Sequence, residues 1–267
     1  MATIMSVGLF LRSPALQAQT ETTAQQELEQ RGLSAQPFEG DWNVNLGAGI
    51  ADAPAFEGAK TYHLRAAPLV SINYRKLVFF GPFGLGVNAI DADGFRAGPI
   101  LGFQPERKQD SDPHLNGLGD IKSDMTAGLF AAYRIGPFDV SGTVRQAILH
   151  SKDGLVGRVE MDYRWSFLDR KLNIQAGPEI DFGDSPYERT WFGVTPSQSV
   201  ASGLPVFSPR GGIKDTGAHV SLTYVCSRHL LLRMFADCRR LCGDTADSPI
   251  VQKKNQVIVG FGPVYHF

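Results

Sequence analysis

The sequence predicts an all-β fold. It is a single antiparallel transmembrane β-barrel of about twelve strands, with ten as the alternative and both termini periplasmic. Three observations carry this. Apolar and polar residues alternate over segments far longer than the usual strand of about five or six residues. The connections between those segments are alternately long and tight. The chain closes on Val257, Val259, Phe261, Pro263, Tyr265 and Phe267, alternate positions that end on an aromatic residue.

The alternation runs through four segments. Tyr62, Leu64, Ala66, Pro68, Val70, Ile72 and Tyr74 share one face, and His63, Arg65, Ser71 and Asn73 lie on the other. Met125, Ala127, Leu129, Ala131 and Tyr133 alternate with Asp124, Thr126, Gly128, Phe130 and Arg134. Leu155 to Trp165 and Leu172 to Phe182 behave likewise, the latter against Glu179 and Asp181. A soluble sheet also alternates, but its strands are shorter and its polar face rarely carries so many mid-strand charges beside glycine. A barrel strand needs about 9–11 residues to cross the bilayer, apolar outward and polar inward, with aromatic girdles at its ends. Tyr62, Tyr74, Tyr133, Phe138, Tyr163, Trp165, Phe182 and Tyr224 fall near strand ends. The pattern therefore assigns Leu64, Val70, Leu129, Met161, Ile174 and Val259 to lipid, and the alternate charges to the lumen.

Twelve strands are read at 42–50, 61–75, 76–81, 84–90, 94–104, 121–135, 137–149, 154–165, 171–183, 214–226, 229–240 and 255–267. With periplasmic termini, every long connection (51–60, 105–120, 184–213, 241–254) falls outside and every tight one inside. Merging the third and fourth strands breaks that parity. Residues 1–18 read as a degenerate signal peptide, with an apolar core at Ile4–Leu11 but no basic start. Residues 19–40, rich in Gln, Glu and Ala, read as a flexible periplasmic segment, and 41–267 as the barrel.

Composition excludes other classes. The balance of 26 basic against 27 acidic residues argues against nucleic acid as a partner. No apolar run is long enough for a membrane-spanning helix. Cys226, Cys238 and Cys242 are too few for a disulfide framework and read as free small hydrophobes.

Candidate lumen charges are Arg65, Arg75, Arg96, Asp124, Arg134, Arg145, Arg158, Glu160, Asp162, Arg164, Glu179, Asp181, Arg233, Asp237 and Arg239. They read as a paired polar interior, with a small-solute pore as the sharper alternative. An enzyme would need a nucleophile beside a base. His150 adjoins Ser151, but neighbours on a strand point to opposite faces, and neither GxSxG nor HExxH occurs. No catalytic, cofactor or metal set is legible.

The most distinctive segment is Gly243-Asp244-Thr245-Ala246-Asp247-Ser248-Pro249-Ile250-Val251, just before the last strand. Its turn-formers, and apolar Ile250 and Val251 beyond the membrane band, suggest a loop folded inward over the mouth, with Asp244 or Asp247 on Arg233 or Arg239. This run resembles the signature of the MipA/OmpV family of MltA-interacting proteins. Gly117-Leu118-Gly119-Asp120-Ile121, Gly193-Val194-Thr195-Pro196-Ser197-Gln198-Ser199 and the closing Tyr265-His266-Phe267 match as well, so the likeness covers 41–267. Cys242 and Thr245 depart from the expected aliphatic or Ala. The resemblance implies an outer-membrane barrel, surrounded by lipid and inserted by the barrel-assembly machinery, which reads the strand bearing Tyr265 and Phe267. It also implies a non-enzymatic scaffold that bridges a lytic transglycosylase and a penicillin-binding protein. Other members are described as osmotic, adhesive or antigenic proteins.

Overall fold

The computed structural model describes residues 41–81, 84–149 and 154–267. The expectations for 1–18, for 19–40 and for His150 with Ser151 lie outside them. Thirteen strand segments form one antiparallel sheet among the described residues: β1 (Trp42–Pro54), β2 (Tyr62–Tyr74), β3 (Val78–Gly81), β4 (Gly84–Val87), β5 (Ile90–Ala92), β6 (Phe95–Gln104), β7 (Asp124–Ile135), β8 (Phe138–Ala147), β9 (Leu155–Phe167), β10 (Leu172–Gly183), β11 (Gly212–Val225), β12 (Leu230–Leu241) and β13 (Asn255–His266). Each pairs with its sequence neighbour except β4 and β5, β13 pairs with β1, and β4 closes on β6. β4 and β5 both lie along β6, so they form one interrupted stave and the closed barrel has twelve. Among the described residues no helix is long and apolar enough to cross a membrane.

Closure follows from physics. An open sheet edge in lipid would leave backbone N–H and C=O groups without partners. The seam runs from Asn45 opposite His266 to Asp52 opposite Val259, and the Phe267 amide donates to the Val44 carbonyl at 3.0 Å.

Among the described residues the long connections gather at one end of the barrel and the tight turns at the other. The tight turns include Asp93-Gly94, where both residues take positive φ (50° and 84°) as a two-residue hairpin requires. A side chain at Gly94 would also strike the Arg134 carbonyl, 2.5 Å from the Cβ position. Exposed and half-buried aromatics ring this end: Trp42 lies 4.5 Å from Tyr74, Phe138 4.8 Å from Tyr163, and Tyr265 4.7 Å from Phe267, centroid to centroid. Leu64, Leu129, Met161 and Val259 point outward and are exposed, whereas Glu160 and Asp181 are buried inside, as the alternation requires.

Two expectations are corrected. Arg75 is no lumen charge: it sits in a tight turn with φ 47° and pairs with Asp41 at 2.7 Å, largely exposed. The interior is also not uniformly polar. Leu69, Leu231, Phe235, Ile258 and Val264 pack into an inward apolar cluster across β1, β2, β12 and β13. The β12 sequence Leu230-Leu231-Leu232 is apolar on both faces, so alternation alone cannot reveal this patch.

Candidate functional site

At the long-loop end the connections are not open loops. Residues 184–211 contain α1 (Ser185–Phe192) and α2 (Pro196–Ser202), and the last connection contains α3 (Gly243–Asp247). Asp184 caps α1 by accepting the Tyr187 amide, with Pro186 in the first turn. Thr195 and Gln198 close a reciprocal capping box on α2. Two 3-10 turns, Gln109–Ser111 and Pro113–Leu115, shape the connection after β6.

These three connections and the one between β1 and β2 share a small core of their own. Ala55, Phe56, Ala59, Leu115, Leu118, Val194 and Ile250 are buried against one another, and Ile250 is 0% exposed. Hydrogen bonds tie the same segments together. Thr245 Oγ1 donates to Glu188 Oε2 at 2.6 Å, and Ser248 Oγ donates to the Phe192 carbonyl at 2.6 Å. The Arg107 guanidinium donates to the Trp191 carbonyl and also lies over the Trp191 ring. The Gln252 and Lys253 amides both donate to the Gly58 carbonyl. Gly58 takes φ +94°, and a Cβ there would meet Val251 at 2.8 Å, so only glycine lets these two loops close together. The result is a lid across the barrel mouth.

The signature segment is part of that lid, with its contacts distributed otherwise than expected. Ile250 fills the lid core, Val251 abuts Gly58, Ala246 is buried, and the Pro249 carbonyl lies 3.1 Å from His114 Nε2. Neither carboxylate reaches Arg233 or Arg239. Asp244 accepts from the Arg210 amide (2.9 Å) and Nε (3.3 Å), bonds that hold its carboxyl below the ordinary range. Asp247 pairs with Lys254 at 3.0 Å. The reason is α3: its helical turn, opening at Gly243 (φ 51°), carries both carboxylates to the loop side, away from the lumen.

Beneath the lid lies a buried ion-pair network. Arg158 faces Asp181 directly across β9 and β10 and grips it with two bonds of 2.7 Å from Nε and Nη2. Arg239 Nε lies 2.6 Å from Glu179 and 2.9 Å from Asp237. His219 is held between Glu179 (3.2 Å from Nδ1) and Asp162 on Nε2, and Gln175 also donates to Asp162 at 2.8 Å. Glu160 accepts from Ser141 at 3.1 Å. Towards the tight turns, Asp139 serves Arg134 (3.0 Å), Arg164 (3.4 Å) and Arg96 (3.9 Å). Arg65 reaches back to the Ala55 carbonyl at 3.4 Å, and Arg233 is fully buried on β12. Tyr265 and Phe267 point outward on the tight-turn rim, whereas His266 points inward onto Asn45 at 3.0 Å.

Several residues of the site escaped the sequence. Lys214 pairs with Asp215 at 2.6 Å, with Glu57 from the first loop, and with Asp181 at 3.8 Å. Alternation would send one of Lys214 and Asp215 outward. Both are buried because the β10–β11 register shifts there: Asp181 faces Asp215, but Phe182 faces Ile213. Asp139, Glu188, Arg107 and Trp191 were missed as well, the last three because they belong to a lid no strand pattern describes.

Glu179, His219 and Asp237 present donor atoms within 4.8 Å of one another, a spacing a metal ion could use. Arg239 already bridges both carboxylates, so a fixed guanidinium stands where that charge would sit. His219 has a carboxylate on each ring nitrogen, which leaves neither free to activate a nucleophile.

A closed antiparallel barrel with an outward apolar band, an aromatic ring at one rim and charges inside is an outer-membrane β-barrel protein. The chain matches the family described as MltA-interacting protein MipA over residues 46–267, and it belongs to that family. It is 25% identical over 240 residues to the MltA-interacting protein of Escherichia coli K12, covering 86% of this chain and 91% of that one. It is also 25% identical over 201 residues to the outer membrane protein Omp26La of Vibrio anguillarum, covering 75% of this chain and 73% of the relative. Among solved structures, an outer membrane channel from Pseudomonas putida F1 aligns with a TM-score of 0.45 at 10% identity, over 88% of this chain and 98% of that one.

Proposed function

We propose that this protein is a non-enzymatic outer-membrane scaffold that holds a lytic transglycosylase and a penicillin-binding protein near the inner face of the membrane. Both termini and the tight turns face the periplasm in this reading, so residues 19–40 and those turns are the contact surface. The observation that carries it is the capped mouth: Ile250 and its partners bury an apolar core across the opening, which suits an anchor better than an open pore. Membership of the MltA-interacting protein family supports the same partner class. The test is affinity capture of the tagged full-length chain from crosslinked envelopes. Enrichment of a lytic transglycosylase is the expected result; its absence, together with steady single-channel conductance in planar bilayers, would favour the small-solute channel instead.

A further inference from the structure

Between the lid and the ion-pair network lies a partly open cavity of about 130 Å³. Its walls differ in chemistry. Phe56, Leu241 and Ile258 supply an apolar side, and Trp191 and Tyr187 of α1 add aromatic surface. The lining also carries several hydrogen-bond donors that have no protein acceptor. Thr126, 2% exposed, and Trp191, 7% exposed, line the cavity with a hydroxyl and an indole N–H that bond to no protein group. Gln104 Nε2 and Arg158 Nη1 are buried in the same condition. Arg158 spends its other two nitrogens on Asp181, and Nη1 lies 3.8 Å from Glu179, beyond hydrogen-bond reach.

The acceptors on the wall are mostly engaged already, Asp237 Oδ1 through its ion pair with Arg239 alone. Asp181 is gripped by Arg158, Asp237 by Arg239, Glu57 by Lys214, and Gln256 Oε1 by the Gly58 amide. A buried donor without an acceptor is costly, so such groups are ordinarily satisfied by a partner. The partner that suits this wall brings acceptors and few donors. A polyol would bring as many hydroxyl donors as acceptors, and those donors would find the carboxylates taken. Inorganic phosphate would leave the apolar wall uncovered.

We infer that this cavity is a binding site for a short aliphatic carboxylate, its two oxygens taking the bonds of Arg158, Thr126, Gln104 and Trp191 and its hydrocarbon tail lying on Phe56, Leu241 and Ile258. The site stands apart from the scaffold reading, since no partner protein enters it. Sodium butyrate titrated calorimetrically into the folded full-length chain in lipid nanodiscs is the test. It is expected to bind saturably, one per chain, and at least about tenfold tighter than either butyramide or inorganic phosphate, as charge-assisted hydrogen bonds imply. The near-isosteric T126V and the Q104L variants, each checked for native heat-modifiable mobility on electrophoresis, are expected to weaken butyrate by about tenfold. Absence of saturable heat would mean the donors are served by water alone and overturns the inference. So does butyramide or phosphate binding as tightly as butyrate, or butyrate affinity unmoved in both variants.

Discussion

A single side chain experiences this barrel as lipid or as lumen, and neighbouring residues report opposite environments. Leu129 projects outward, 67% exposed, whereas Thr126 is buried inside. Leu129→Arg is expected to cost about 2–4 kcal/mol near the bilayer midplane, and Thr126→Ser far less. Urea unfolding in lipid vesicles compares them, and equal losses would refute the register. Glu188 sets a pH dependence at the same scale. Burial pushes its carboxyl up to about 7, and the Thr245 hydroxyl and Lys214 pull it back only in part. The carboxyl oxygen not bonded to Thr245 is buried without a protein partner, which suits a protonated acid. The folded lid therefore binds a proton that the opened one, with an ordinary carboxyl, releases between about pH 4.5 and 7. Stability of the closed lid is then greatest below that window and falls as pH rises through it, by about 3 kcal/mol in all. Proteolysis of the loops, measured from pH 5 to 8, should accelerate with pH in the native chain and stay flat in Glu188→Gln. A rate that falls with pH would refute this assignment.

At the scale of elements, the lid and the last strand have separate tasks. Ile250 packs with residues of three other connections, so Ile250→Ala opens a cavity costing about 2–5 kcal/mol locally. Limited proteolysis is expected to cut within 184–211 and 242–254 many times faster in the variant while the barrel stays intact. A cleavage pattern identical to the native one would show that the four connections do not act as one body. Deleting Phe267 removes the outward aromatic at the end of β13, and is expected to lower outer-membrane levels more than any change at the inward His266; equal levels would argue against a terminal assembly signal. The strands were legible because lipid and lumen impose period two. The lid was legible only as a hint, through Ile250 and Val251, because short helices capped by Asp184 and Thr195 obey a different period over too few residues to register. The inward turn of both Lys214 and Asp215 was not legible at all, since a bulge breaks the rule from which facing is inferred.

Over the whole molecule, the charge network and the closure of the barrel have different reach. The Arg158–Asp181 and Arg239–Glu179 pairs link β9, β10 and β12 deep inside, and the sequence named all four residues because each falls on the inward parity. It could not name the pairings, which depend on register between strands. Closure is uneven round the ring. The β1–β2 ladder runs unbroken from Trp42 opposite Tyr74 to Pro54 opposite Tyr62. The β4–β6 pairing has two positions, Leu85 opposite Leu101 and Gly86 opposite Ile100, and β5 adds three more after an interruption at Asn88 and Ala89. Gly84, at φ +116°, sits so close to β6 that a Cβ would lie 1.8 Å from the Leu101 carbonyl, so the approach tolerates no side chain. Short pairing with few ladder bonds opens at lower free energy than long ladders. Amides of β3, β4 and β5 are therefore expected to exchange with deuterium well before those of β9 to β12 in the folded barrel. A disulfide formed between Leu85→Cys and Leu101→Cys, whose positions face each other across the seam, is expected to slow exchange in β3 to β5 and to raise the unfolding temperature. Exchange that begins instead in β9 to β12, or a crosslink that leaves the β3–β5 rates unchanged, would place the weakest seam elsewhere in the ring.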